Sequence, residues 1–365
     1  MSNSFRHITI VGVGLIGGSL GLAIKRRMKG VTVTGWDKPD VLRKARRRGA
    51  IDDIAPTLAK AVEDADLVIL ACPTRKILSL LPTIARSVST TALVTDVGSV
   101  KSVIVSLAGK LFPAGNFIGG HPMAGIEFSG IEAAHPLLFE NAMYVLTPLA
   151  RTPRAKVKKL SDFLYELGAR VLILDARTHD SVAAAVSHLP QLIAVALMNV
   201  AGKRHPQARK HLQLAAGGFR DLTRIATSRY NVWDDILRLN SNEILRAMEF
   251  MAKEFKGYQK AVRRTSQSSL RSNFVAARKL RNAIPRTMKG FLHSLSDLYV
   301  YVQDKPGVLA TMTGSLAKAK INIKDMELLK IREGSGGTFR LSFDSSEVSK
   351  RAAKILRGKG FEVEE

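Results

Sequence analysis

His121 stands in GGHPMAGIEFSG (Gly119–Gly130), between glycines and a proline, in what reads as a loop. An imidazole placed so can take a proton from a hydroxyl. GGFRDLTRIATS (Gly217–Ser228) carries Arg220 and Arg224 four residues apart, which predicts one shared helix face. A guanidinium there could grip a substrate carboxylate through two parallel hydrogen bonds and fix the reacting carbon. Ser99 lies in TDVGSVK (Thr95–Lys101), at a predicted strand end. His188 lies in SHLP (Ser187–Pro190), where Pro190 should free a backbone carbonyl nearby. Each residue also has a plainer reading. His121 and, more readily, His188 could be satisfied structural histidines, Arg224 a solvated helix arginine, and Ser99 a helix cap.

What these groups could act beside is set by HITIVGVGLIGGS (His7–Ser19). An apolar run ends at Val11, then Gly12, Gly14 and Gly17 follow in G-x-G-x-x-G spacing with Leu15 and Ile16 between them. Gly12 permits a tight turn, Gly14 lets backbone approach a pyrophosphate, and Gly17 lets helix and strand pack closely. The phosphates would rest on the positive end of the next helix. Asp37 comes twenty residues after Gly17 at the end of a second apolar run, where a carboxylate receives ribose hydroxyls. An acid there repels a 2′-phosphate, so NAD is favoured over NADP, although Lys38 and Arg46, Arg47 and Arg48 could soften the preference. A plain glycine turn with Asp37 as a helix cap is the alternative. With a nicotinamide in place, the His121 chemistry becomes loss of a hydroxyl proton as hydride leaves the same carbon.

The elements that must position these residues alternate. Apolar runs at His7–Val11, Val31–Trp36, Leu67–Ala71, Leu93–Asp96, Phe117–Gly119, Met143–Thr147 and Val171–Leu174 are separated by helical patterns, which predicts a parallel, doubly wound α/β sheet of Rossmann type. Pro73, Thr74 and the Asp96–Ser99 stretch should then open onto the cofactor cleft beyond the strand ends. From about Ala176 the pattern is helical. After Asp297 a βαββαβ pattern fills about seventy residues, a ferredoxin-like module. The expected domains are 1–175 for dinucleotide binding, 176–290 for a helical substrate and dimerisation domain with a basic linker, and 296–365 for a small ferredoxin-like domain.

Composition narrows the class. With 365 residues the chain suggests two or three domains. Its single cysteine, Cys72, excludes a disulfide framework and fits a reducing cytoplasm, and it reads as a small buried hydrophobe. The start, MSNSFRH, lacks an apolar signal core. Ser181–Gly202 has no charged residue and is long enough to span a bilayer, but Ser187, His188, Pro190, Gln191 and Asn199 interrupt it. A helix buried in a helical domain or dimer is the better reading, and no membrane association is expected. The net charge of +25 attracts anionic metabolites. Phe255–Ser296 holds ten basic and no acidic residues, without a stacking platform or zinc spacing, so a solvated linker is expected and no specific nucleic acid or metal.

GVGLIGGS, TDVGSVK, GGHPMAG, SHLP and GFRDLTRIA, in this order, resemble the bacterial prephenate dehydrogenase (cyclohexadienyl dehydrogenase) family, and DKPGVLA (Asp304–Ala310) resembles the start of the ACT domain that some members carry. The resemblance covers nearly the whole chain. It implies NAD-dependent oxidative decarboxylation of prephenate in tyrosine synthesis, with His121 as the catalytic histidine and Ser99 as its hydroxyl partner. It further implies Arg224 on a substrate carboxylate, with Glu127 and His188 in the pocket. Prephenate is a dianion, in keeping with a basic protein. One position departs from the pattern: Gln191 stands where many members have a second histidine, on the side where prephenate carries a keto group and arogenate an amino group. Gln191 can donate or accept, so arogenate or dual use is the alternative. The ACT resemblance implies tyrosine as an inhibitory effector, bound by Asp304, Gly307 and Asn322. A non-catalytic NAD and amino-acid sensor is a rival of another class, and a β-hydroxyacid dehydrogenase is a further one.

Overall fold

The computed structural model describes residues 5–124, 128–203, 208–283, 296–332 and 336–364. It falls into two compact units, Met1–Arg271 and Ser272–Glu365.

In the first unit eight strands form one sheet: β1 (His7–Val11), β2 (Thr32–Trp36), β3 (Asp53–Ile54), β4 (Leu67–Leu70), β5 (Leu93–Asp96), β6 (Phe117–Pro122), β7 (Met143–Pro148) and β8 (Arg170–Ile173). Their order is β3-β2-β1-β4-β5-β6-β7-β8. The apolar runs form strands buried on both sides because successive side chains enter opposite cores. Ile8, Ile10 and Ile69 pack with Leu20, Ile24 and Phe163, whereas Val11, Val68 and Leu70 pack with Ile77, Leu81 and Phe117. Helices Leu15–Arg27, Thr74–Ser87, Ser102–Leu111 and Arg154–Glu166 follow strands as the alternation predicts.

Three features depart from expectation. The two-residue β3 has no apolar run to announce it. β6 and β7 pair antiparallel, so the sheet is mixed rather than parallel. Among the described residues of the twenty between them there is only a short 3₁₀ turn, Ile131–Ala133, and not the helix that usually carries a parallel return. Third, β6 extends through Pro122, so His121 is the penultimate residue of a fully buried strand, opposite Val145, and does not lie in a loop.

Beyond β8 the unit is helical among its described residues. Helix Ala176–Ala183 runs through a π-helical turn, Ala184–His188, into helix Leu189–Gly202. Pro190 has no N–H to offer the fourth carbonyl behind it, and the widened turn lies just there. By length and composition this run could cross a membrane, with about 33% of its most apolar window buried. Yet His179, Asp180, His188 and Gln191 are buried in it and hydrogen-bonded to protein groups, which marks that face as protein interior.

The second unit has strands β9 (Ser296–Val302), β10 (Asp325–Arg332), β11 (Gly336–Phe343) and β12 (Glu362–Glu364), with helices Val308–Lys318 and Ser346–Arg357. The antiparallel order β10-β11-β9-β12 with that element sequence is the ferredoxin-like arrangement. Its core joins Leu298, Val300, Met312, Leu316, Leu341 and Leu356. Asn322 is exposed and precedes β10 instead of lying on it. The preceding helix ends at Lys318, and Lys320, at φ 54°, turns the chain before the strand begins.

Candidate active site

At the end of β1 the chain turns at Gly12 (φ 93°), whose N–H donates to Trp36 O at 2.9 Å. A Cβ on Gly17 would strike the carbonyl of Gly12, so only glycine allows this close approach of helix to turn. A Cβ on Gly14 would meet nothing within 4 Å, which leaves room over the start of helix Leu15–Arg27. No side chain caps that helix, so the N–H groups at Leu15 and Ile16 belong to an uncapped positive end. Asp37 does not cap the following helix, whose cap position is Lys38. Its carboxylate accepts Val13 N and Lys38 N, each at 2.7 Å, and so is fixed at the rim of the turn with acceptor capacity left over. Open space at Gly14, an uncapped helix and a fixed carboxylate together fit a dinucleotide with a free ribose 2′-hydroxyl.

Pro73 and Thr74 begin helix Thr74–Ser87 just past β4, and Thr74 is buried with its hydroxyl close to Gly98. Cys72, one residue before, is half-buried, and burial pushes its thiol up to about 12. It is no nucleophile at neutral pH.

Below the cleft lies a buried clamp. Lys101 is fully buried, paired with Asp96, and donates to Gly120 O at 2.7 Å. Burial pulls the Lys101 ammonium down, opposed by the Asp96 charge. The Asp96 carboxylate also accepts Gly98 N at 2.8 Å and Gly120 N at 3.1 Å. One carboxylate therefore ties the Ser99 loop to the His121 strand. A Cβ on Gly120 would sit 2.5 Å from Asp96 O, which explains the glycine next to the histidine. Ser99 is half-buried; the helix after it has Lys101 at its cap position and no side-chain cap, so Ser99 is no cap.

His121 Nδ1 lies 2.8 Å from His179 Nε2, and His179 Nδ1 lies 2.8 Å from Asp180 Oδ1. Burial first, then the charges at His179, Lys101 and His188, hold the His121 imidazolium well below its usual range. That shift favours the neutral imidazole, whose free ring nitrogen can accept a proton. Asp180 accepts Lys101 N at 2.7 Å and Ser102 N at 2.8 Å. Burial pushes its carboxyl up, but hydrogen bonds from His179, Ser102 and Lys101 outweigh that and keep it below the usual value. Asn240 donates to Asp180 O at 2.9 Å and lies 3.2 Å from His188 Nδ1. His188 meets Trp233 edge-on at 6.0 Å, and burial lowers its pKa to about 4. Gln191, one turn on, donates to Ile225 O at 2.9 Å and so braces the turn that begins at Arg224.

His121, His188 and Gln191 therefore belong to one connected region. Arg224 is exposed and starts a 3₁₀ turn, because the helix carrying Arg220 stops at Thr223; the two arginines do not share a continuous helix face. Glu127 lies outside the described residues. His179 and Asp180 were not singled out from sequence, although a His-Asp pair opening an uncharged run of this length was a usable signal.

The family description "Prephenate dehydrogenase, nucleotide-binding domain" matches residues 20–173, and "Prephenate dehydrogenase, dimerization domain" matches 175–276. The chain is 36% identical to a prephenate dehydrogenase of Bacillus subtilis (strain 168), over 96% of both chains. It is 38% identical to one of Lactococcus lactis subsp. cremoris, over 96% of this chain and 97% of that one. The crystal structure of prephenate dehydrogenase from A. aeolicus in complex with hydroxyphenyl propionate and NAD+ superposes with a TM-score of 0.73 at 31% identity, covering 78% of this chain and all of that one. With a nucleotide turn, a neutral buried histidine and this likeness along its length, the chain belongs to the prephenate dehydrogenase family and is an NAD-dependent oxidoreductase.

Proposed function

We propose that the chain converts prephenate to 4-hydroxyphenylpyruvate, with His121 as the proton acceptor. Gly12, Gly14, Gly17 and Asp37, beside Pro73 and Thr74, would hold NAD, which would supply the acceptor for the hydride of ring C4. His121 accepts the hydrogen bond of the 4-hydroxyl and draws its proton as the C4–H bond breaks, which makes the oxygen a better electron donor. The bond from C1 to its carboxylate carbon breaks, its electrons complete the aromatic ring, carbon dioxide leaves, and the proton returns to the phenol oxygen. Ser99, next to Gly98, whose N–H is held by the carboxylate that also holds Gly120 N, orients the hydroxyl. Arg224 holds a substrate carboxylate, and His188 supports the pocket wall. The burial of His121 near the end of β6, with its Nδ1 bonded to the His179–Asp180 pair, is the observation that carries this reading. A spectrophotometric assay tests it: NADH should form with prephenate and NAD, and slowly or not at all with NADP. No NADH from either prephenate or arogenate would end the reading.

Arogenate is a second substrate on this reading. Gln191 gives one amide N–H to Ile225 O and keeps both a second N–H and its amide oxygen, so it can meet the keto group of prephenate or the ammonium of arogenate. Gln191→His should raise the preference for prephenate over arogenate, read as the ratio of kcat/KM values.

The second unit reads as an ACT domain that binds tyrosine and inhibits. DKPGVLA and the βαββαβ order support this, as does Gly307 (φ 84°) opening a helix that has no side-chain cap. Asp304, Val308, Leu309 and Phe339 line a cavity of about 230 Å³ beside it. Val182, Val186, Val195 and Val200, exposed along 176–202, are covered by a second copy in a homodimer, in line with the dimerisation domain matched over 175–276. A cytoplasmic setting fits the single, unpaired thiol.

A further inference from the structure

We propose that His179 positions the base: held by Asp180, it fixes His121 in the tautomer whose Nε2 lone pair meets the substrate hydroxyl. This rests on the reading of His121 as the proton acceptor. The chain of reasoning starts at Asp180. As a carboxylate it can only accept, and it already receives Lys101 N and Ser102 N, so the proton between it and His179 sits on His179 Nδ1. With that as its one ring proton, His179 presents a lone pair at Nε2. The 2.8 Å contact with His121 Nδ1 must be a hydrogen bond donated by His121, which leaves His121 Nε2 unprotonated. Among the described residues nothing hydrogen-bonds that nitrogen. Both rings are buried, at 8% and 2% exposure, so water does not compete for the bond.

The surroundings favour the same state. Lys101, tied to Asp96 and Gly120 O, keeps a positive charge near His121, and His188 adds a second imidazole close by. Tyr144, buried on β7, feels the Asp96 charge, which raises its pKa further after burial. None of these groups hydrogen-bonds His179, so Asp180 is the anion that steadies the positive charge shared by the two imidazoles as the hydroxyl proton moves. The pair and its carboxylate follow the logic of a nucleophile's base held by an acid, applied here to a base acting directly on substrate.

Two-bond ¹⁵N–¹H correlation spectra of the uniformly labelled full-length protein test this without a variant. His121 should show a protonated Nδ1 and a pyridine-type Nε2. A proton on Nε2 instead would overturn the proposal. His179→Phe should mix the tautomers of His121 and lower kcat between about 10- and 10⁴-fold, with NAD affinity unchanged. His179→Gln, whose amide oxygen can accept from Nδ1, should recover part of the loss and of the spectrum. An unchanged His121 spectrum together with unchanged kcat in His179→Phe would also overturn it. If His121→Asn keeps full turnover, the reading of His121 as acceptor fails, whatever the spectra show. If His121→Asn is inactive and both His179 variants are fully active, only the positioning role fails.

Discussion

The decisive residue property is the neutrality of His121. Burial and nearby positive charge depress its pKa from 6.5, so lowering the pH does not protonate it until well below that value. A base must be unprotonated, so a depressed pKa extends activity toward acid. The acid limb of kcat/KM against pH should therefore fall below 6.5, and a midpoint at or above it would contradict the burial seen here. His121→Asn should reduce kcat by about 10²–10⁴-fold while NAD still binds, as fluorescence titration of the cofactor would show. His188 gives a stability prediction from the same physics. Folded, it protonates near 4, while in the unfolded chain it protonates near its ordinary value, so the unfolded state binds the extra proton between 6.5 and 4. Stability is full above 6.5 and declines as the pH falls through that window, by up to about 3 kcal/mol. His188→Gln should flatten that part of a calorimetric melting profile, after allowance for the other histidines.

At the scale of elements, the glycine turn makes the sharpest distinction between folding and binding. Gly14→Ala adds a methyl into open space, so melting should change little while NAD affinity drops, since the methyl occupies the room above the helix start. Gly120→Ala drives a methyl into the Asp96 carbonyl and should cost about 1–3 kcal/mol, with loss of activity as the clamp shifts. Sequence periodicity exposed most strands because β1, β4 and β5 are apolar on both faces, and the G-x-G-x-x-G spacing with Asp37 placed the turn. It did not expose the antiparallel β6–β7 pair, since strand direction leaves no mark on a short apolar run. His121 read as a loop residue because glycine and proline surround it, whereas those glycines serve close packing against Asp96 and Thr147. The Asp180 hydrogen bonds join residues nearly eighty apart, and no local pattern carries such a contact.

At the scale of the molecule, regulation and assembly are separable from chemistry. A chain ending before residue 296 should keep its turnover and lose inhibition by tyrosine; retained allosteric inhibition would move the effector site elsewhere. Gly307→Val in the intact chain should act alike, because its φ of 84° suits glycine. Val186→Asp should yield monomers by light scattering if a second copy covers that face. The clamp and the imidazole pair have one more consequence. On the proposed reading, nucleotide capture belongs to the first strands, whereas His179, which would orient the base, arrives only on the helix after β8. A protein severed between 173 and 176 could still greet its coenzyme while standing chemically mute, so proteolytic nicking at that junction would yield a decoy rather than a weak enzyme.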